Sequence, residues 1–235
     1  MATADGGKLY VVSTPIGNLE DITLRALRVL KSVDLVAAED TRHTRGLLSH
    51  FDIHVPLESC HAFNEHAKCG QLFELIRQGK TVALVSDAGT PSVADPGFLL
   101  VREAARAGIP VEIVPGVSAL TFAVTASALP VDQLAFYGFA PVKSARREKF
   151  LREILSGGLT AFFFESPYRI AKTLSELAAL APDVEVAIIR EATKLHEEVI
   201  RGTAKDVAGT SRTWKGDLVV GVGRYAAKSA SADQA

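Results

Sequence analysis

Thr81-Val82-Ala83-Leu84-Val85-Ser86-Asp87-Ala88-Gly89-Thr90-Pro91-Ser92-Val93-Ala94-Asp95-Pro96-Gly97 is the stretch that decides the fold class. A short β-branched run, Thr81–Val85, leads into a loop of Gly, Pro and acids, and the amphipathic segment Phe98–Ala107, closed by Gly108, follows. Leu9–Ser13 opens a second copy of this arrangement. It passes through Ser13-Thr14-Pro15-Ile16-Gly17-Asn18 into a helix whose apolar positions Ile22, Ala26, Val29, Leu30 and Val33 fall at helical spacing, with Asp21 as its expected N-cap. Loops of this kind, at the ends of strands and the starts of helices, present backbone N–H groups and positive dipole ends to a ligand. A nucleotide-like cofactor is the expected ligand.

Working outward, Leu35–Ala38 reads as a strand, Leu72, Leu75 and Ile76 mark a helix closed by Gly79, and Val111–Val114 is a further strand. This alternation predicts an α/β fold with a mostly parallel sheet. Beyond Pro115-Gly116 come a helix near Ser118–Ala126 and strands at Ala135–Tyr137, Thr160–Phe164, Glu185–Ile189 and Leu218–Val222. Pro115-Gly116 is the expected linker between two α/β domains, 8–116 and 117–226, with 1–7 and 227–235 as tails.

With 235 residues, 48% of them hydrophobic, the chain can bury an ordinary core, and a formal net charge of −1 excludes a generally basic nucleic-acid coat. Any polyanion must meet a local patch. Two cysteines, Cys60 and Cys69, make no secreted disulfide framework, and the polar start Met1–Lys8 carries no apolar signal region. No apolar run approaches the roughly 20 residues that span a bilayer. A cytoplasmic protein without membrane insertion is expected.

Several clusters could carry chemistry, and each has a plainer reading. In the Asp87–Gly97 loop, Asp87 and Asp95 could accept hydrogen bonds from ribose hydroxyls or an amino group, or Asp95 or Ser92 could simply cap a helix. In Glu39-Asp40-Thr41-Arg42-His43-Thr44, Asp40 or His43 could act as general base while Arg42 holds a phosphate. The same residues could start a helix, with Asp40 or Thr41 capping and Glu39 paired to Arg42. The charged run Arg190–Glu198 contains Lys194, a candidate polyanion contact, but suits a solvated face as well. Glu165 emerges from the apolar Phe162-Phe163-Phe164 into Ser166-Pro167, which could be only a helix start. Lys143, Arg146, Arg147 and Lys149 form the one basic cluster, apt for phosphates or for solubility. Cys60, His61, His66 and Cys69 lack a C-x-x-C pair, and no metal is expected.

Taken in order, Thr14-Pro15-Ile16-Gly17-Asn18-Leu19-Glu20-Asp21-Ile22-Thr23, Ala38-Glu39-Asp40-Thr41-Arg42-His43-Thr44, Val85-Ser86-Asp87-Ala88-Gly89-Thr90-Pro91, Phe164-Glu165-Ser166-Pro167 and Arg190-Glu191 with Thr193-Lys194-Leu195-His196-Glu197-Glu198 resemble the tetrapyrrole methylase superfamily, and more narrowly its ribosomal RNA branch. The resemblance runs from Leu9 to about Gly223. It implies a two-domain fold with a mostly parallel N-terminal sheet, a mixed C-terminal sheet and flanking helices. It further implies S-adenosylmethionine as methyl donor, bound between the domains, and 2′-O-methylation of a cytidine in the decoding region of 16S rRNA within the 30S subunit, by a homodimer. Cofactor contacts carried over by the resemblance are Pro15, Asp87, Ala88, Gly89, Thr90, Val93, Ser118 and Ala119, with Glu165 and Gly216. Asp40 or His43 would be the base, Arg42 and Lys194 would hold phosphates or a developing alkoxide, and the basic cluster would meet RNA. Porphyrin-type relatives carry G-x-G-P-G-D where this chain has Thr14–Asp21, which argues against a tetrapyrrole substrate. A small-molecule or diphthine-type methyltransferase and a non-catalytic nucleotide-binding module are the rival readings.

Overall fold

The computed structural model describes residues 7–61 and 65–225; the tail residues 1–6 and 227–235, Phe63 and the side chain of His66 lie outside the described residues. The chain divides into two compact units, Met1–Ser118 and Ala119–Ala235.

In the first unit β1 (Leu9–Val12), α1 (Leu24–Ser32), β2 (Leu35–Ala38), α2 (Thr41–His50), β3 (Leu57–Ser59), α3 (Glu65–Arg77), β4 (Val82–Val85), α4 (Phe98–Arg106) and β5 (Val111–Val114) follow one another. The five strands form one sheet in the order β3-β2-β4-β1-β5, and every pairing is parallel. Because side chains alternate along a strand, each strand feeds two cores. Leu9, Leu35, Ala37 and Leu84 meet Leu72 and Ile76 of α3 and Leu100 and Ala104 of α4 on one face. Val12, Val36, Ala38 and Val85 meet Ala26, Val29 and Leu30 of α1 and Leu48 of α2 on the other.

Two details differ from expectation. Asp21 does not cap α1: Asn18–Asp21 forms a 3-10 turn, Ile22 is extended, and Thr23 Oγ1 accepts from the Ala26 amide at 3.0 Å. Strand β3 leaves no mark in the sequence pattern, since three residues following Pro56 are too few to show a period.

The second unit holds α5 (Ala119–Ser127), β6 (Leu134–Phe139), α6 (Ser144–Ser156), β7 (Thr160–Glu165), α7 (Ile170–Leu180), β8 (Glu185–Arg190), β9 (Glu198–Thr203), α8 (Ala204–Ala208) and β10 (Leu218–Val222). Its sheet runs β6-β7-β10-β8-β9, parallel between β6 and β7 and antiparallel elsewhere, which is the mixed sheet the resemblance implied. Leu151 and Ile154 of α6 and Ile170, Leu174 and Leu177 of α7 cover one face, and Ala123 of α5 packs on the other beside Phe162, Ala187, Ile189 and Val219. The end of the Arg190–Glu198 run begins an unexpected strand: the chain turns back after β8 and pairs antiparallel as β9, a half-exposed edge whose charges mask its period.

Candidate functional site

At the carboxyl ends of β1, β2 and β4 three loops are stitched together. The amide of Thr14 donates to the Gly89 carbonyl at 2.8 Å and the Gly89 amide donates back to the Thr14 carbonyl at 3.0 Å, an isolated antiparallel bridge. The Ser13 and Thr90 hydroxyls share a hydrogen bond of 2.8 Å, and Thr14 Oγ1 donates to the Ser86 carbonyl at 3.2 Å. Pro15 is buried beneath this junction, while Ala88 is exposed on top of it.

The loop from Ser86 to Gly97 is held in a strained form. Left-handed backbone occurs at Gly89 and Gly97 but also at Ser92, with φ 72°, and Ala94, with φ 65°. Each non-glycine residue so placed costs on the order of 1–3 kcal/mol and persists only where its surroundings fix it. Here the Ser92 amide donates to the Pro96 carbonyl at 3.1 Å and the Val93 amide to the Thr90 carbonyl at 3.2 Å. A Cβ on Gly97 would lie 2.9 Å from Leu84 Cδ2, so only glycine closes the loop onto β4. Neither Ser92 nor Asp95 caps α4; the N-cap is Gly97, with no side-chain bond.

Acids converge at this end. Burial, then the charges of Glu39 and Asp87, push the Asp95 carboxyl up to about 6 against an opposing hydrogen bond with Ser86. Burial and the neighbouring Asp87 raise Glu39 as well. The Glu39 and Asp95 carboxyls, with Asp87 beside them, form a set of the right sign for a cationic ligand. Of these, Glu39 was absent from the expected site because its role shows only when β2 and β4 lie side by side.

In the Glu39–Thr44 cluster the plainer reading, a helix start capped by Asp40, is the one the structure shows. Asp40 is the N-cap of α2, accepting from the Arg42 amide at 2.8 Å, and its other oxygen pairs with the Arg42 guanidinium at 2.9 Å. The Arg42 side chain and amide hold the Asp40 carboxyl at about 2, and the geometry makes Asp40 the cap of α2. Arg42 pairs with Asp40, not Glu39, and its side chain is 87% exposed. His43 is exposed on the first turn of α2.

In the second unit, two expected contacts prove structural. Glu165 is buried: Oε1 accepts from the Ser166 amide at 2.6 Å and from Arg169, and Oε2 accepts from Thr173 Oγ1 at 2.6 Å. Both oxygens hold the β7–α7 turn, which corrects its assignment as a cofactor contact. Arg147, expected to meet RNA, is only 2% exposed and is corrected likewise. It forks onto Glu176 at 2.7 and 2.8 Å and donates to the Val142 carbonyl. Helical spacing explains the difference, because Arg147 faces the core with Leu151 and Ile154 while Lys143, Arg146 and Lys149 stay exposed.

Lys194 is a staple between the ends of β8 and β10, with Nζ bonded to Glu191 Oε1 at 2.9 Å and to Asp217. Burial opposes its charge, but the bonds to Asp217 and Glu191 outweigh burial and raise its pKa. Gly216 has φ +81°, and a Cβ there would sit 2.2 Å from the Glu191 carboxyl. Among the described residues no group of His, Cys, Asp and Glu side chains converges as a metal site, and no helix is long and apolar enough to cross a membrane.

Comparison with known proteins places the chain in a family. Residues 8–208 match the family model of the tetrapyrrole (corrin/porphyrin) methylases. The chain is 49% identical to ribosomal RNA small subunit methyltransferase I of Hydrogenobaculum sp. over 85% of this chain and 87% of that protein. It is 47% identical to the same enzyme of Thermotoga maritima, over 85% and 90%. The Halalkalibacterium halodurans protein of that name is 44% identical over 91% and 75%. Among solved structures, uroporphyrin-III-C-methyltransferase from Thermus thermophilus superposes with a TM-score of 0.67 at 25% identity, covering 93% of this chain and 94% of that one. Diphthine synthase gives 0.72 at 17% identity over 92% and 89%, a likeness of fold alone.

Proposed function

We infer the function from family: the chain belongs to the tetrapyrrole (corrin/porphyrin) methylases and, within them, to the ribosomal RNA small subunit methyltransferase I proteins. It methylates the 2′-hydroxyl of a cytidine ribose in the decoding region of 16S rRNA, with S-adenosylmethionine as donor and the small subunit as substrate. The observation that carries this reading is identity of 44% to 49% over 85% to 91% of the chain with proteins of that name.

S-adenosylmethionine supplies a methyl carbon on a positively charged sulfur. The carboxyl groups of Glu39, Asp87 and Asp95 fit a cation, and the bridged loops fix the backbone around Pro15, Ala88, Gly89, Thr90 and Val93. With Ser118, these are our donor contacts in the first unit. Displacement at a methyl carbon is in-line, so positioning and exclusion of water carry most of the work. His43 takes the proton of the ribose hydroxyl, a role typically worth about 10²–10⁴ in rate. Arg42 and Lys194 hold flanking phosphates. Lys143, Arg146 and Lys149 meet the RNA backbone. We further propose that the protein acts in the cytoplasm and as a homodimer, to which the exposed Leu24, Phe98 and Ile113 are suited.

Incubation with labelled donor and undermethylated small subunits tests the reading. Label is expected in 16S rRNA; label passing instead to a tetrapyrrole or a protein would contradict it.

A further inference from the structure

Four of the large apolar side chains that the second unit leaves exposed belong to one end of its sheet. Leu218, at the start of β10, pairs with both Glu165 and Arg190, and Phe139 pairs with Phe164, so β6, β7 and β8 all finish there. At that end Phe139 is 61% exposed, Val142 69%, Tyr168 97% and Leu195 93%. Adjacent strands lie about 4.8 Å apart, which sets the ends of β7 and β8 on the order of 10 Å from each other.

Two of these side chains stand on rigid turns. Leu195 follows Thr193, a β-branched residue with φ 66°, and Glu191, with φ 50°. The turn is pinned by bonds from the Lys194 amide to the Glu191 carbonyl, from the Glu197 amide to the Lys194 carbonyl, and from the Thr193 amide to the Glu197 carboxylate. Tyr168 is fixed by its amide on Ser166 Oγ at 3.3 Å and by the Arg169 amide on the Ser166 carbonyl at 3.0 Å. The same turn that seats the Glu191–Lys194–Asp217 staple thus holds the Leu195 side chain out in water.

The charges nearby favour an anion. Glu165 is engaged by Arg169, Glu191 and Asp217 by Lys194, and the Glu197 carboxylate by a backbone amide. Lys143 and Arg146 at the start of α6, and Lys215 ahead of β10, remain exposed. Aromatic and apolar faces rimmed by cations suit unstacked bases of a single-stranded RNA segment, whose phosphates the cations meet.

We propose that this sheet end is a stacking platform for unpaired bases of the substrate RNA, with Phe139, Tyr168 and Leu195 as its contacts. This rests on the reading of the chain as an rRNA methyltransferase, and it makes these residues determinants of substrate choice.

The test uses the full chain with Tyr168→Ala, Leu195→Ala, Phe139→Ala and Tyr168→Phe. Affinity for undermethylated small subunits and for an unstructured oligoribonucleotide is measured by titration, beside the methyl-transfer KM for subunits and for donor. Each alanine variant is expected to weaken RNA binding and raise the subunit KM by roughly 5- to 100-fold, with donor KM and melting temperature unmoved and Tyr168→Phe close to wild type. RNA binding that all three alanine variants retain, in a protein that methylates subunits, would overturn the platform and leave the function standing. If the protein methylates no ribosomal fraction, the function fails, and the titrations still decide the platform. Conversion of a dimer to monomers by Tyr168→Ala, with RNA binding intact, would make the patch a protein interface and overturn the proposal.

Discussion

The amide of Asp40 donates to Asp87 Oδ1 at 2.9 Å, tying the end of β2 to the end of β4. One carboxylate oxygen thereby aligns α2, which carries His43, with the strained loop that begins at Ser86. Asp87→Ala is expected to lower stability by roughly 1–3 kcal/mol and to weaken donor binding at least about tenfold. Chemical denaturation and calorimetry with S-adenosylmethionine read the two effects separately; unchanged donor affinity would remove Asp87 from the site.

Asp95 links the site to pH. Its folded value of about 6 lies above its ordinary 3.8, so the folded state holds the proton more tightly. The resulting stability is complete below 3.8 and is lost as pH rises through about 6. Between those values the melting temperature of the wild type should fall relative to Asp95→Asn. Affinity for the cationic donor should move the other way, rising through the same window, and Asp95→Asn should flatten that rise.

The Arg147–Glu176 pair, buried at its arginine, predicts a stability defect and no RNA defect of its own. Arg147→Ala removes the partner that holds the Glu176 carboxyl below the usual range, leaves it the bond from Ser144, and should cost roughly 1–3 kcal/mol. Charge reversal at Lys143 and Arg146 should instead leave the melting temperature nearly unchanged, weaken subunit binding and flatten its salt dependence. Salt titrations of both variants separate the two roles.

Among the polar residues of α2, His43 and Asp40 should behave unequally. His43→Ala should lower single-turnover methyl transfer by about 10²–10⁴. Asp40→Asn keeps a capping oxygen and should leave the rate within a few-fold. An equal loss in both variants would return Asp40 to the chemistry.

Much of this was legible in the residues. The alternation of β-branched runs with amphipathic segments is dictated locally, so the parallel sheet could be read before any contact was known. The same holds for the 86–97 loop, where Gly and Pro announce unusual backbone. What could not be read depends on partners distant in sequence. Arg147 looks like its basic neighbours until Glu176 is placed 2.7 Å from it, and Glu165 looks available until Thr173 and Arg169 take up its oxygens. The left-handed Ser92 and Ala94 have no sequence signature, since serine and alanine carry no preference for that backbone and bonds within the loop hold it there. Glu39, Asp87 and Asp95 become a cluster only through the β2–β4 pairing.

Methyl transfer to a ribose oxygen is decided by nucleoside mass spectrometry of 16S rRNA after treatment of undermethylated small subunits with the protein and S-adenosylmethionine. One 2′-O-methylated cytidine is expected in the decoding region, lost with His43→Ala. A methyl group on a base, or rRNA left unmodified, would contradict it.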